Sequence, residues 1–529
     1  MSRDYFYGMF FRRKHNKSGS VSVQVIQKGN RRYRVLKSFG TGHTEAEILR
    51  LEQHARRFIL EQTGMNRVLF ADEEELMLEN FLSGISNAQV QVVGPELIFG
   101  TLYDRIGFGR IENDLFRHLV ITRLFNPGSK LKAIDYLQRY QNISYNISTI
   151  YRFLDDLCFR KDEKTQTTMA NKKDIKQLVE DISFAHTCRV LGGRIDVVFY
   201  DMTTLYFETA EEDDLRKTGF SKDGKHQCPQ IFLGLLVGQG GNPIGYELFE
   251  GNIFEGHTFI KVLQQMEGRF KIGKPVVIAD SGLLSKKNIA ALEADGYHYI
   301  LGARPKNETV KTKEKILGLG LKDGDVRIIK KDKTTRLVIA KTQKREAKDA
   351  FNRKRGLDRL TKRLNSGKLT KSNINNKGYN KYLKMEGEVS ISIDLDKFND
   401  DAAWDGIKGY LTNTTLPARE VIANYRNLWY IERAFRMNKT DLRIRPIYHR
   451  LHNRIEGHIC ICFTAYSIML ELERLLKAYK SSISLNRAQE ITHNMYQMTY
   501  QLPNTKETRK QILKMDNEQE ELYNIVMNP

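Results

Sequence analysis

Two aspartates follow short apolar stretches that are typical of buried strands. Asp201 ends "RIDVVFYD" and Asp280 ends "KPVVIAD". Functional side chains gather at the carboxyl ends of strands in parallel or mixed sheets, and strands buried on both faces read as continuous apolar runs. Two neighbouring carboxylates repel each other unless they are protonated or bridged by cations. A pair of magnesium ions would bridge them and catalyse an in-line phosphoryl displacement. Either aspartate alone is explained as well by capping the next turn.

A third carboxylate stands almost alone in a cationic helix. In "YRNLWYIERAFRMNKTDLRIRP", residues 425–446, Glu432 is the one acid ahead of Asp441. A surface helix held by salt bridges mixes the two signs more evenly, so a bound anion is expected there. Taken as one helix, the stretch predicts a stripe that carries Glu432 and a face that packs on a sheet. The stripe contains Tyr425, Leu428, Arg436 and Lys439, and the packed face contains Ile431, Ala434 and Phe435.

The charge balance indicates a polyanionic partner. The 529 residues include 85 Lys+Arg and 64 Asp+Glu, a formal net charge of +21. Such an excess is typical of proteins that bind nucleic acid or anionic membranes, and no apolar run approaches the roughly 20 residues that span a bilayer. Five cysteines without a C-x-x-C pair favour a reducing cytoplasm over a disulfide framework or zinc ribbon. The histidines and cysteines around "HICICFTAYSIMLELERLL" are expected on a buried helix rather than at a metal.

The N-terminal elements are a hairpin followed by helices. Alternation in "GSVSVQVIQKGNRRYRVLKSFGTG" predicts the hairpin, and a charged helical segment follows at about 44–82. Residues 95–185 are helical in pattern, with breaks at "FNPGSK" and "NISYNIS", and Ser148 is expected to cap the helix after the second break. Cations at the edges of these helices suit a helix seated on DNA, although a plain helical bundle has the same pattern. These cations are Lys130, Lys132, Arg139 and Arg152.

From about residue 193 the pattern becomes that of an α/β sheet with a meander in front. "IFLGLLVG" and "NPIGYELFEGN" predict a strand pair joined at Gly240–Gly241, and a turn, a helix and a strand follow Asp280. Residues 311–400 interrupt the sheet with two strands and a cationic run from Lys341 to Lys371. We predict that this run faces phosphates, the alternative being a solvated helix face. A Ser-capped helix and a polar end close the chain.

These motifs resemble a known family. Tyr425, Glu432 and Lys439 match the Y-x-x-R-x-x-x-E-x-x-x-x-x-x-K signature of bacterial insertion-sequence transposases, which carry a DDE active site on an RNase H-like fold. The chain most resembles the insertion sequence 1634 family within the insertion sequence 4 group. Other similar stretches run in the family's order over nearly the whole chain: "FNPGSK", "YRFLDDL", "GFSKDGKHQCPQIFLGLLV", "IADSGLLSKKNI" and "RIRPIYHRLHNRIEGHICICF".

The resemblance implies a catalytic triad of Asp201, Asp280 and Glu432 that holds two magnesium ions, with manganese as a substitute. The long gap before Glu432 fits a β-rich insertion that the group carries. The implied function is a transposase that binds the inverted-repeat ends of an insertion sequence, cleaves DNA strands and joins the 3′ ends to target DNA. Such an enzyme would act as a homodimer in its synaptic complex, on the DNA of a bacterial cytoplasm.

The same resemblance implies DNA contacts along the cationic helix. Tyr425 and Lys439 would grip phosphates near the strand end, and Trp429 would either stack on a displaced base or, more commonly, pack in the core. The signature arginine is Leu428 here. We predict that Arg436, rather than Arg426, takes its role and that an arginine at position 428 partly restores the contact that Arg436→Ala loses. Asp223 and His257 stand near the predicted sheet without an assigned role.

Two other functional classes stay open. One is an RNase H-like nuclease without strand transfer, and the other is a catalytically silent, transposase-derived regulator, against which the intact triad speaks. The expected fold is an α/β core with an RNase H-like mixed sheet, a β-rich insertion, an N-terminal β-hairpin region and a helical DNA-binding region. The expected domains are the hairpin with the start of the charged helix (1–60), the helical region (61–190), the core's first part (191–310), the insertion (311–400), the core's second part with the helix of Glu432 (401–480) and a helical tail (481–529).

Overall fold

The computed structural model contains two compact units, one of Met1–Val90 with Met498–Gln511 and one of Gln91–Gln497 with Ile512–Pro529. Asp223 and His257 lie outside the described residues. No helix in the described part of the chain is long and apolar enough to cross a membrane. The structure describes residues 8–29, 32–63, 73–158, 174–219, 224, 227–253, 258–270, 273–283, 285–367, 369–375, 378–386, 390–502 and 505–528.

The first unit is built on an antiparallel sheet of three strands, which confirms the predicted hairpin. Alternate residues of the central strand, Val21, Val23 and Val25, are buried and pack with Ile48 and Ala55 of the following helix. The period of two in the sequence places these valines on one face, and that face forms the small core. The elements are β1 (Met9–His15), β2 (Val21–Gly29), β3 (Arg32–Gly42), α1 (Glu45–Thr63) and α2 (Glu73–Ser83).

The second unit is organised around a mixed sheet of eight strands, in the order β10–β11–β14–β9–β8–β5–β6–β7. The segment β7–β6–β5 is an antiparallel meander, and β5, β8 and β9 run parallel to one another. This order confirms the predicted RNase H-like α/β core with a meander in front. Its strands are β5 (Val197–Tyr206), β6 (Gln230–Val237), β7 (Pro243–Glu250), β8 (Val276–Ala279) and β9 (Tyr299–Ala303).

The predicted insertion extends the sheet. Two of its strands pair in antiparallel fashion beyond the strand that follows the insertion, and that strand pairs with β9. The cationic run forms a helix of 23 residues over most of its length. The elements here are α10 (Val310–Gly318), β10 (Val326–Lys330), β11 (Arg336–Lys341), α11 (Gln343–Asn365), β12 (Leu383–Glu386), β13 (Ser390–Ile393), α12 (Leu395–Asp400) and β14 (Ile407–Thr412).

Helices pack on the sheet, and the predicted breaks between them are confirmed. Ser148 is not the cap of its helix, however, because the side chain of Asn146 accepts a hydrogen bond from Ser148 N at 3.0 Å and so occupies the cap position. The helix from His452 is buried along most of its length, as predicted. The helices are α3 (Thr101–Ile106), α4 (Asp114–Phe125), α5 (Lys130–Gln141), α6 (Ile147–Leu157), α7 (Ile175–Val190), α8 (Phe259–Phe270), α9 (Lys286–Ala294), α13 (Ala418–Arg426), α14 (Trp429–Thr440) and α15 (His452–Ala478).

The C-terminal segment has more structure than its sequence predicts. Ser484 caps a helix, as expected, by accepting a hydrogen bond from Arg487 N at 3.1 Å. The expected polar end is instead two strands and a further helix, whose capping box joins Asp516 and Gln519. The remaining elements are β4 (Val90–Val92), α16 (Leu485–Thr492), β15 (Tyr496–Gln501), β16 (Thr508–Ile512) and α17 (Asn517–Met527).

Candidate active site

Asp201 and Asp280 occupy neighbouring positions on two parallel strands. β5 and β8 pair with Tyr200 opposite Ala279, and the residue after each of these two is an aspartate. Asp280 directly follows the end of β8, as predicted. The prediction that Asp201 ends its strand is wrong, because β5 continues to Tyr206 in antiparallel pairing with β6. The two aspartates therefore meet where β8 ends and β5 continues.

The carboxylate of Asp280 is held in one orientation. Its Oδ1 accepts hydrogen bonds from Ser281 N at 2.5 Å and from the hydroxyl of Tyr425 at 3.3 Å. The carboxylate of Asp201 is held by the neighbouring backbone, since its Oδ1 accepts a hydrogen bond from Met202 N at 2.8 Å. Asp280 is exposed and Asp201 is half-buried. Both acids thus have backbone-fixed carboxylates at a solvent-accessible edge of the sheet.

Tyr425 is a buried partner of Asp280. Burial, followed by the negative charge of Asp280, raises the pKa of Tyr425, so the phenol stays protonated and donates. Its ring packs against Tyr410 with centroids 4.9 Å apart. A Cβ at Gly302 of β9 would lie 2.4 Å from the Tyr425 hydroxyl oxygen, so the glycine is what permits this close approach. The structure therefore brings Tyr425 to the carboxylate of Asp280.

The predicted single helix is divided into two. α13 ends at Arg426 and α14 begins at Trp429. Leu428 lies at the junction and is only 8% exposed, whereas Glu432 and Arg436 are exposed. The continuous surface stripe expected from the helical period is wrong at Leu428 and Tyr425, because both side chains are buried. The other packing prediction is confirmed, since Ile431, Ala434 and Phe435 are buried.

Glu432 lies in the first turn of α14. This helix packs on β5, where the ring of Tyr430 lies 6.0 Å from that of Phe199. The carboxylate of Glu432 is exposed and makes no ion pair with a residue in the described ranges. Its neighbour Arg433 is instead paired with Glu473 at 2.6 Å. Glu432 therefore has no ion-pair partner among the described residues.

The donor chemistry of the three acids fits magnesium, which prefers carboxylate oxygen. Among the described residues, no three His, Cys, Asp or Glu side chains are grouped closely enough to hold a metal ion. The strand register places Asp201 and Asp280 at neighbouring positions, and the described residues do not complete a three-ligand group around them.

Lys408 belongs to the site and was missed in the sequence. It is half-buried on β14, with its Nζ 4.4 Å from the ring centroid of Tyr425. Burial, followed by the positive charge of Arg345, lowers the pKa of Lys408, while the charges of Asp280 and Glu432 act in the opposite direction. One ammonium group is therefore within the electrostatic reach of both acids. A lysine inside the apolar stretch "IKGYLT" was the available signal.

Two open cavities lie beside Lys408. One of about 820 Å³ is lined by Asp280, Tyr425 and Lys408. A second, of about 510 Å³, shares Arg345 and Lys408 with the first and is strongly cationic. We call the second the basic cavity, and its cationic lining residues are Lys341, Lys344, Arg345, Lys348, Lys408, Arg419 and Arg426.

The remaining predicted DNA contacts lie on or beside α14. Arg436 is exposed one turn after Glu432 and has no ion pair within the described part of the chain. Lys439 is half-buried in the last turn. Trp429 is 47% exposed and its ring lies 4.4 Å from that of Tyr430, so the core role is wrong for this residue.

A family model decides what these residues belong to. Residues 192–468, more than half of the chain, match the transposase DDE domain. The chain belongs to the transposase DDE domain family. The predicted triad of this transposase and the predicted DNA contacts on α13 and α14 lie within the matched segment.

Solved transposase complexes are similar to this transposase at low identity. A piggyBac transposase synaptic complex with hairpin DNA is 11% identical, with a TM-score of 0.37, and the match covers 75% of this chain and 76% of that chain. A Mos1 transposase paired-end complex with the left transposon end is 13% identical, with a TM-score of 0.15 and coverage of 46% and 71%. A Mos1 mariner paired-end complex with Mn is 15% identical, with a TM-score of 0.15 and coverage of 47% and 71%. No curated protein matches the chain.

Proposed function

We propose that this chain is the transposase of a bacterial insertion sequence, of the insertion sequence 1634 family within the insertion sequence 4 group. It would bind the inverted-repeat ends of its element, cleave DNA strands there and join the 3′ ends to target DNA in the bacterial cytoplasm. The observation that carries the proposal is the placement of Asp201 beside Asp280 on parallel strands, within the segment that matches the family.

Asp201, Asp280 and Glu432 would hold two magnesium ions, for which manganese would substitute. When bound, these ions would activate the nucleophile and stabilise the attacking and leaving oxygens of an in-line displacement. Ser281 N and the Tyr425 hydroxyl orient the Asp280 carboxylate before any ligand arrives. Such a pre-set orientation lowers the cost of assembling the reactive geometry.

The cations around these acids would hold the DNA. Lys439 and Arg436 would contact phosphates near the strand end, and Trp429 would stack on a base. Arg426 would contribute from the basic cavity to backbone binding. The Tyr425 hydroxyl donates to Asp280, so we assign Tyr425 to the positioning of that acid as well as to the phosphate next to it. A homodimer would bring two element ends together.

The decisive experiment uses the full chain and the DNA that flanks its coding region. Labelled duplexes carrying the inverted repeats are incubated with target plasmid in Mg²⁺, in Mn²⁺ and in EDTA, and both cut and joined products are measured. The proposal expects cutting at the repeat ends and joining, each dependent on the divalent ion. Cutting without joined product would instead establish a nuclease, and end binding without cutting would establish a regulator.

A further inference from the structure

Two stretches that the reaction leaves without a role meet at one cavity. "FNPGSK" connects α4 to α5, and "RIRPIYHRLHNRIEGHICICF" leads into α15. Between them lies a cavity of about 550 Å³, whose described lining residues differ from those of the two cavities beside Lys408. No carboxylate is among the described residues that line it. Its basic lining residues are Arg123, Lys130, Arg443, Arg445, His449 and His458.

The floor of this cavity carries buried cations without counter-charges. Lys130 is 6% exposed and Arg123 is 5% exposed. Within the described ranges, neither side chain donates a hydrogen bond or forms an ion pair. Buried charges in proteins are normally paired, because an isolated ion in a medium of low polarity is costly. Two adjacent cations that open into a cavity, without a counter-charge among the described residues, favour a bound anion.

The electrostatics of Lys130 agree with this geometry. Burial, followed by the charge of Arg123, lowers the pKa of Lys130 to about 7. Lys130 is also the first residue of α5, whose N-cap is Ser129. The N-terminus of a helix adds unpaired N–H groups and partial positive charge, both of which favour an anion. An anion in the cavity would favour the protonated form of Lys130, raise its pKa and interact with the N-terminus of this helix.

We propose that this cavity binds a backbone phosphate of DNA, with Arg123 and Lys130 beneath the phosphate and Arg443 at the mouth. That the phosphate belongs to DNA rests on the proposed function. The mouth favours a nucleotide over a free phosphate ion, because Tyr448 lines it and is 73% exposed. Exposed aromatics beside a phosphate-binding groove provide stacking surfaces for bases.

The cavity is connected to the candidate active site by a single strand. The guanidinium of Arg445 lies 5.5 Å from the ring centroid of Tyr206, which ends β5. Asp201 is on the same strand, and at about 3.3 Å per residue the two positions lie roughly 17 Å apart along it. If a DNA strand is cut beside Asp201, a phosphate a few nucleotides from the cut can therefore lie in this cavity.

The first test measures the response to inorganic phosphate. Thermal unfolding of the full chain is followed with and without phosphate at constant ionic strength, for wild type, Lys130→Met and the matched control Lys132→Met, an exposed lysine of the same helix. Phosphate should raise the Tm of wild type and control but not that of Lys130→Met. Without phosphate, Lys130→Met should unfold at an equal or higher temperature, because a buried amine without a hydrogen-bond partner among the described residues is gone.

A purely structural Lys130 gives the opposite result. Lys130→Met would then lower the Tm in both buffers, and the wild type would not respond to phosphate, which overturns the site. Arg443→Gln provides a second test in case Lys130→Met does not fold, since Arg443 is exposed at the mouth and its replacement should not disturb the core. It should reduce the phosphate-induced rise in Tm and leave the Tm without phosphate unchanged.

The second test identifies the source of the phosphate. Binding of a labelled duplex from the flanking DNA is measured over a range of salt concentrations. Lys130→Met should reduce the log–log salt slope by about 0.9, the value for one lost phosphate contact. Tyr448→Ala should weaken DNA binding at least about fivefold while keeping the phosphate-induced rise in Tm, because it removes stacking alone.

The outcomes separate this proposal from the proposed function. If Lys130→Met loses the phosphate response but binds DNA with an unchanged slope, the cavity holds a free anion and the assignment to DNA is overturned. Neither test requires cleavage, so a transposase without activity still reports on the cavity. A wild type that does not bind the flanking DNA would reject the proposed function and this assignment together, while the phosphate response would still decide whether the cavity is an anion site.

Discussion

At the sheet edge where Asp280 lies, charges of both signs face the solvent, whereas in the cavity around Lys130 charges of one sign are buried. At the edge, Lys408 lies within the field of Asp280 and Glu432, and Tyr425 donates directly to Asp280. In the cavity, Lys130 and Arg123 have no counter-charge among the described residues. The first arrangement contains charges of both signs, whereas the second contains cations alone among the described residues.

This difference separates chemistry from binding. Carboxylates that are exposed to solvent and fixed by hydrogen bonds can be pre-oriented for a reaction at little cost to the free protein. Unpaired buried cations lower the stability of the free protein and recover that loss only when an anion arrives. Changes at the sheet edge should therefore alter the rate of cleavage, and changes among the unpaired cations should alter DNA affinity and its dependence on salt.

The largest effect is expected from the acids. Asp201→Ala, Asp280→Ala and Glu432→Gln should each abolish cleavage while leaving binding to element ends intact or tighter, because each removes a metal ligand and negative charge near DNA. Gel assays of cut product and anisotropy measurements of binding give the two readouts. Asp196→Ala is the matched control, since Asp196 is an exposed acid just before β5 that pairs with Arg194 at 2.7 Å. A near wild-type rate for any of the three would refute its place in the triad.

Arg436 should give the next largest effect. It is exposed one turn after Glu432 without an ion pair in the described chain, so its charge is available to a phosphate. Arg436→Ala should slow end processing about 10- to 150-fold, the range for loss of a hydrogen bond to a charged group. The rate of single-turnover cleavage measures this change.

Arg426→Ala is the control for Arg436, because Arg426 lines the basic cavity and should act on binding instead. The sequence predicted that Leu428→Arg would restore a lost contact. With Leu428 buried, we expect no restoration, since an arginine there would place an unpaired charge in an apolar site. Normal end processing by Arg436→Ala together with slow processing by Arg426→Ala would reverse this assignment.

Local patterns in the sequence predicted most elements of the core. The apolar runs before Asp201 and Asp280 are strands. The apolar stretch "HICICFTAYSIMLELERLL" correctly indicated a buried helix. The division at Leu428 was missed because no Pro or Gly marks it. The end of β5 was misplaced because "MTTLY" after Asp201 is still rich in residues that favour strands.

Contacts between distant parts of the chain were beyond such patterns. Lys408 reaches Tyr425 only because β14 pairs with β9, and no period in the sequence reports which strands become neighbours. Likewise, Lys130 and Arg443 are each ordinary cations in their own segments. Only the packing of the two segments around one cavity shows that the described lining residues include no carboxylate to pair with these cations.

The cationic helix α11 should give a smaller effect, confined to one of its halves. Lys344 and Lys348 line the basic cavity, so Lys344→Gln with Lys348→Gln should lower the log–log salt slope of DNA binding by about 1.8, or 0.9 per contact. Lys354→Gln with Arg359→Gln, exposed cations of the same helix outside the cavity, is the matched control. Arg353 is unsuitable because it pairs with buried Asp405 at 2.6 Å. Equal changes in both double variants would show that the whole helix faces DNA, and no change in either would leave it a solvated surface.

The smallest effect is expected at Lys408, where the two kinds of charge meet. Lys408→Met keeps an apolar stem over the ring of Tyr425 and removes an ammonium that acts on both Asp280 and Glu432. Because that ammonium repels any cation bound by the acids, its loss should lower the Mg²⁺ concentration for half-maximal cleavage roughly two- to fivefold, the size of an exposed charge–charge interaction. Titration of cleavage with Mg²⁺ measures the shift, and Lys306→Met, which removes a cation that pairs with Asp401 in the adjoining cavity, is the control. A higher Mg²⁺ requirement for Lys408→Met would mean that the lysine holds the acids together for the metal. The sheet edge would then resemble the cavity around Lys130, because both would depend on a bound ion to balance their charges.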